Sequence, residues 1–437
     1  MSITDYKKSQ QGIQSTFGGD SWVTTMRDNG LARFDKNGFP TVKDEEWRYT
    51  NLKMIKEGDF IPGIKSVDAD LSPYSQLVTG KGVEVVFIDG HFSEKDSTLH
   101  GLISGVNLLT LDTALKTKGN EIQALLKHFN EDTENPFTGL NDAMLSAGTC
   151  LFVDDKVQSS DVINIIFITT GKAENSMTMP RSFVLVGQSA KVVICETHIH
   201  RGTRQAYFKN TQCDIVIGEN SHVEYYKAQL ESFGAYHISN TRMHLAANSH
   251  LESFALDLGA KLTRNTLHIS LNGDNIHAGL DGLYALAEDQ HVDNHSAVDH
   301  RFPHCVSDQL YKGLLDGKSR GVFNGKIFVR QAAQKTDAYQ LNRNVILSDN
   351  ASVDTKPQLE INADDVRCTH GATIGQMSPS EVFYLQSRGI DKERAIDMLS
   401  HGFAEDALNR IVNDKVRTIF NTYLHEYFFD AIERRTV

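Results

Sequence analysis

Paired cysteines are missing from this sequence. Cys150, Cys195, Cys213, Cys305 and Cys368 form an odd set with no CxxC, which argues against a disulfide framework and a ready-made zinc knuckle. A reducing, cytoplasmic setting fits such a set. Long apolar runs are missing too: the longest, such as "VINIIFITT" from Val162, fall far short of the roughly 18 residues that suggest a membrane-spanning helix. The opening "MSITDYKKSQQGIQSTFGG" lacks the apolar stretch and small-residue cleavage site of a signal peptide. Positive charge is not in surplus either. A formal net charge of -12 with 23% charged residues gives no electrostatic reason to expect nucleic acid or an anionic membrane as partner.

What is present divides into three zones. Residues 1–149 mix helical patterns such as "LLTLDTALKTKGNEIQALLKHFN" with "VEVVFIDGHF", a short strand closed by an Asp-Gly turn, and read as an α/β cap. Residues 150–376 have hardly any proline and consist of short Val/Ile/Phe-rich runs between polar turns, which is a β pattern. Residues 377–437 read as a helical domain. Ser378 fits an N-cap, Pro379 the first helical position and Glu381 a capping box. Two amphipathic helices follow, with apolar stripes at Ile396, Leu399, Phe403 and at Val412, Val416, Ile419, Tyr423.

Inside the β zone a turn pattern recurs: "GQSA" at Gly187, "GENS" at Gly218, "AANS" at Ala246, "GDNI" at Gly273 and "SDNA" at Ser348. The period of about 25 to 30 residues suits one coil of a right-handed parallel β-helix, in which each coil buries its face on the next. Ser189, Asn220, Asn248, Asn275 and Asn350 take the third place of these turns. Asn and Ser hydrogen-bond their own backbone, and Asn tolerates left-handed geometry. A β-sandwich is the alternative, with hairpins in place of the repeated coil.

Three stretches carry candidate chemistry. "GLLDGKSRG" at Gly313 resembles a phosphate loop but is one residue short between its glycines and sits between β runs, so a solenoid turn is expected and no nucleotide on this chain. "QHVDNHSAVDHRFPHC" gathers His291, His295, His300, His304 and Cys305 without a standard ligand spacing, so a structural role is expected. "DDVRCTHGATIG" sets Cys368 and His370 two residues apart, on one face if the segment is a strand. Two ligands cannot complete a four-coordinate site. Either these are core residues, or the remaining ligands come from elsewhere, such as another chain pairing on an exposed β edge.

The run from Val292 to Ser348, followed by "DTKPQLEINADDVRCTHGATIG" and "FYLQSRGI", resembles the SufB/SufD family of iron-sulfur cluster assembly proteins, and "DEEWRYTN" near Asp44 is similar to its SufD branch. That resemblance implies a mainly β protein, a parallel β-helix between the cap and the helices, acting as a scaffold subunit and not an enzyme. It implies pairing with a SufB-like subunit through the end of the β-helix, docking of the C-terminal helices on a SufC-like ATP-binding-cassette ATPase, and sulfur arriving indirectly from a cysteine desulfurase system. It also implies a transient cluster at the subunit junction, with His370 as the metal-site residue and Cys368 as the weaker candidate. Imidazole can replace thiolate on cluster iron. A homodimer of the isolated chain and the participation of a flavin stay open. The rival classes are a purely structural β-helix subunit and a β-helical polysaccharide-processing enzyme, which would normally be exported.

Overall fold

The computed structural model describes residues 3–17, 20–62, 83–99, 101–129, 135–172, 174–202 and 205–429. Its core is a β-solenoid of about eight turns. Alternate strands along the chain belong to two facing parallel sheets, the first ending at Ser352–Ile361 and the second at Arg367–Gln376. The mainly β expectation, with N-terminal α/β and C-terminal helical regions, agrees with this architecture. "VEVVFIDGHF" forms the strand Val83–Ile88, which pairs in parallel with Gln158–Thr169, then turns into His91–Phe92.

The corners explain the period. Ser189, Asn220, Asn248 and Asn275 all take positive φ, between 55° and 57°, as the turn reading requires. The series then continues through His304 and Lys335 (φ 61° and 62°), each two residues before a strand of the second sheet. Asn350 does not belong to it. That residue precedes Ser352–Ile361, at the opposite corner of the coil, and is absent from the left-handed set among the described residues. The interval from the turn at Gly273 to that at Ser348 therefore joins two different corners.

Both outer faces of the solenoid are covered through its middle, which is why strands such as Tyr207–Ile217 are buried on both sides. The N-terminal region packs Phe137, Leu140 and Trp47 against Phe208 and Ile238 of the first sheet. On the second sheet, Leu408, Val416, Phe420 and Leu424 cover Tyr226, Phe254 and Leu283. Among the described residues three α-helices, Pro379–Gln386, Lys392–Leu408 and Asp414–Leu424, stand where two amphipathic ones were expected, and a π-helical turn, His425–Phe429, follows the last. Ser378 caps the first by accepting the Glu381 N–H at 3.4 Å; Gly389 at φ 87° ends that segment, and Asp391 caps the next. The buried stripe of Lys392–Leu408 falls on Ala395, Ser400, Ala404, Ala407 and Leu408, leaving Ile396, Leu399 and Phe403 half-buried. Val412 lies in the connection between helices and is exposed.

Candidate functional site

Cys368 and His370 lie on the last strand of the second sheet, Arg367–Gln376, whose outer edge has no neighbour among the described residues. Register shows which way they face. Cys368 ends the column Val192, Val223, Leu251, Ala278, Ser307, Ala338, and His370 ends the column Ile194, Tyr225, Ser253, Leu280, Gln309, Gln340. Both columns are buried inside the solenoid up to their last rung. The two residues therefore continue the lumen lining at the point where no further coil covers it.

Their environments differ. Cys368 is half-buried against the cluster of Ile327, Val329 and Ala338, and burial pushes its thiol up. His370 is exposed. One rung below, Gln340 donates to Gln309 at 2.7 Å, which donates to Ser296 at 2.6 Å, while the buried carbonyl oxygen of Gln340 has no partner. A polar stack thus ends in an unused acceptor beneath an accessible imidazole. Around it the open end exposes Ile374 (46%) and Ile361 (41%).

The backbone of this strand is also poised. Arg367 donates its N–H inward to Thr336, so by the alternation of parallel ladders the N–H groups of Cys368, His370, Ala372 and Ile374 face the free edge.

The other histidine-rich stretch is dispersed, as its irregular spacing suggests. His291 contacts Thr50 at 2.8 Å, and His295 lies between Asp293 at 3.0 Å and Glu46 at 3.3 Å. His300 points into the lumen toward Ser307 at 2.9 Å, His304 forms a corner, and Cys305 donates to the Gly273 carbonyl at 3.2 Å. Gly313 lies within the strand Val306–Leu315, and Gly317 (φ 67°) turns the chain into another strand, Arg320–Val329. The geometry there is strand–turn–strand, with no helix to receive a phosphate.

Sequence reasoning missed one constellation. His222, His250 and His277 align on the outer face of the second sheet, with Glu252 between the last two. The signal was available: each histidine follows a corner asparagine (Asn220, Asn248, Asn275) by two residues.

Residues 167–403 match the family described as SUF system FeS cluster assembly, SufBD core domain, and residues 3–165 match the SufBD protein N-terminal region. The chain belongs to the SufBD family. It is 32% identical to an iron-sulfur cluster assembly SufBD family protein of Synechocystis over 402 residues, covering 90% of this chain and 88% of that one. It is 28% identical to the iron-sulfur cluster assembly protein SufD of Escherichia coli, covering 86% of each. It is also 28% identical to the chloroplastic protein ABCI7 of Arabidopsis thaliana, covering 90% of this chain and 83% of that one. Within the SufBD family the chain is SufD-like, and its family connects it to iron-sulfur cluster assembly. No helix among its described residues is long and apolar enough to cross a membrane.

Proposed function

We propose that this SufBD-family chain is a non-enzymatic scaffold subunit of a SUF-type complex, pairing through its last coil with a SufB-like subunit, and that His370 contributes a ligand to the nascent cluster at that junction. The observation that carries this reading is an inward-facing imidazole on the uncovered last rung of the lumen, beside exposed Ile374 and Ile361 and an edge with free N–H groups. A second sheet adding to that edge would bury those apolar side chains and bring its own ligands over His370. The unused carbonyl of Gln340 would orient the ring by accepting one N–H, leaving the other nitrogen for iron.

Cys368 is the weaker donor, because its thiol is held against an apolar cluster and burial disfavours the thiolate that binds iron. The cluster is cargo, transient and shared with the partner subunit. Sulfur would reach the junction from a cysteine desulfurase system. In isolation, two copies of the chain would pair edge to edge as a homodimer.

Docking of a SufC-like ATPase falls on the C-terminal helices. Phe383 (71% exposed) and Tyr384 (58%) stand out from Pro379–Gln386, and Met398 and Val412 are exposed nearby in sequence. Hydrolysis then belongs to that partner. Five unpaired cysteines fit a reducing cytoplasm.

The test is anaerobic reconstitution of the complex from the tagged chain with SufB-like and SufC-like proteins, reading complex mass and cluster absorbance. His370→Ala is expected to leave the complex intact and lower cluster yield at least about tenfold, since even the outer-shell partners of metal ligands command that much. Wild-type yield from that variant would reduce the chain to an interaction subunit. Failure to recover either partner would overturn the assembly reading itself.

A further inference from the structure

The outer-face histidine ladder takes no part in the reading above. His222, His250 and His277 occupy the first position of three successive strands of the second sheet. They are in direct register, and their rings stack with centroids 4.5 and 4.4 Å apart. Two residues along, the same face carries Glu224, Glu252 and Gly279. Glu252 leans toward the ladder: its Oε1 lies 2.6 Å from His250 Nε2 and 3.6 Å from His277 Nε2. Single donor atoms from His250, Glu252 and His277 all fall within 4.8 Å of one another.

Neighbouring groups leave this trio open. At Gly279 a Cβ would stand 2.3 Å from Glu252 Oε2, so any larger residue would displace the carboxylate. Asp308, one strand further on, is held by Arg410 at 2.9 Å, and Glu224 accepts from Tyr226 at 2.8 Å. The three donors are partly exposed and reachable from solvent. Two imidazoles and one carboxylate on one face, with the remaining positions open, are the donor set of non-haem iron(II) and of open zinc sites.

We propose that His250, Glu252 and His277 bind one divalent first-row transition-metal ion on the outer face of the solenoid, with His222 stacked beside the site and outside its donor set. A single cation shared by two imidazole nitrogens and a carboxylate oxygen satisfies all three donors at once. The site is distinct from the open end. His277 and His370 lie three strand spacings apart along the sheet, about 14 Å.

The experiment uses the full chain, stripped with chelator and kept anaerobic. Zn2+ binding is followed by calorimetry, and Co2+ serves as the spectroscopic probe. One equivalent of each is expected, with Co2+ showing ligand-field bands of nitrogen and oxygen donors. His250→Ala, His277→Ala and Glu252→Gln should each weaken Zn2+ binding at least about tenfold, whereas His222→Ala should not. Because the donors are surface groups, thermal melts of all four variants should overlay the parent, and Glu252→Gln keeps the side chain's shape if an alanine variant does not fold. No stoichiometric binding by the parent chain, or binding unaffected by His250→Ala, would overturn the proposal.

Discussion

The lumen of the solenoid treats its inward-facing polar groups in two ways. In the middle coils, Glu231 lies 2.8 Å from Lys209 and 2.6 Å from His237, and Glu196 lies 2.7 Å from His198, all of them buried. Burial opposes the Glu231 charge, but Lys209 and His237 outweigh it and hold that carboxyl well below the usual range. Burial likewise pushes His198 and His237 down. At the last rung His370 continues the same lining with no coil above it. Orientation is therefore common to both regions, and coverage decides the chemistry: covered rungs enclose their polar groups against one another, and the uncovered rung leaves an imidazole accessible.

The sharpest way to break this contrast is Glu231→Ala. Removing one member of a buried charged set leaves Lys209 uncompensated and should cost about 3–5 kcal/mol in chemical denaturation. A loss below about 1 kcal/mol would mean that the middle is less sealed than its burial implies.

Acid comes next. Burial holds His300 at about 4 against its ordinary 6.5, so below about pH 6.5 the unfolded chain takes up a proton that the native state refuses. Stability should fall between about pH 6.5 and pH 4 by up to about 1.4 kcal/mol per pH unit for each such histidine. His300→Gln should flatten that slope, as a denaturation series across this window would show.

At the open end, Ala372→Pro removes an N–H that faces the free edge and should change stability by less than about 1 kcal/mol. If the proposed pairing with a SufB-like subunit uses this edge, the variant should nonetheless abolish it in size-exclusion measurements. Retained pairing would move the junction off this strand. His370→Ala, the mildest change, should leave the melting curve unaltered while cluster yield drops.

Much of this was legible beforehand, and the remainder was hidden for physical reasons. Corner asparagines betrayed the solenoid because left-handed backbone selects Asn, but His304, Lys335 and Glu288 adopt the same geometry without that signature. Their corners were therefore invisible, and Asn350 was assigned to the wrong series. Strand alternation correctly set Cys368 and His370 on one face. Nothing in the alternation tells an inner face from an outer one, or a covered rung from the last. The ladder of His222, His250 and His277 escaped because the period was counted at the turns and not two residues beyond them. In the C-terminal helices the small residues Ala404 and Ala407 take the face against the sheet, since close approach favours them over the larger apolar stripe.

The stacking order also has a consequence for the free edge. Arg367–Gln376 pairs only with Asp337–Ile346, which in turn rests on Val306–Leu315, and each coil of a solenoid is supported by its neighbours alone. The edge that would receive a partner is thus supported from one side and is the first to fray. A chain frayed there has nothing to offer at that position, so in the proposed complex partner binding would double as an inspection step that only an intact subunit passes.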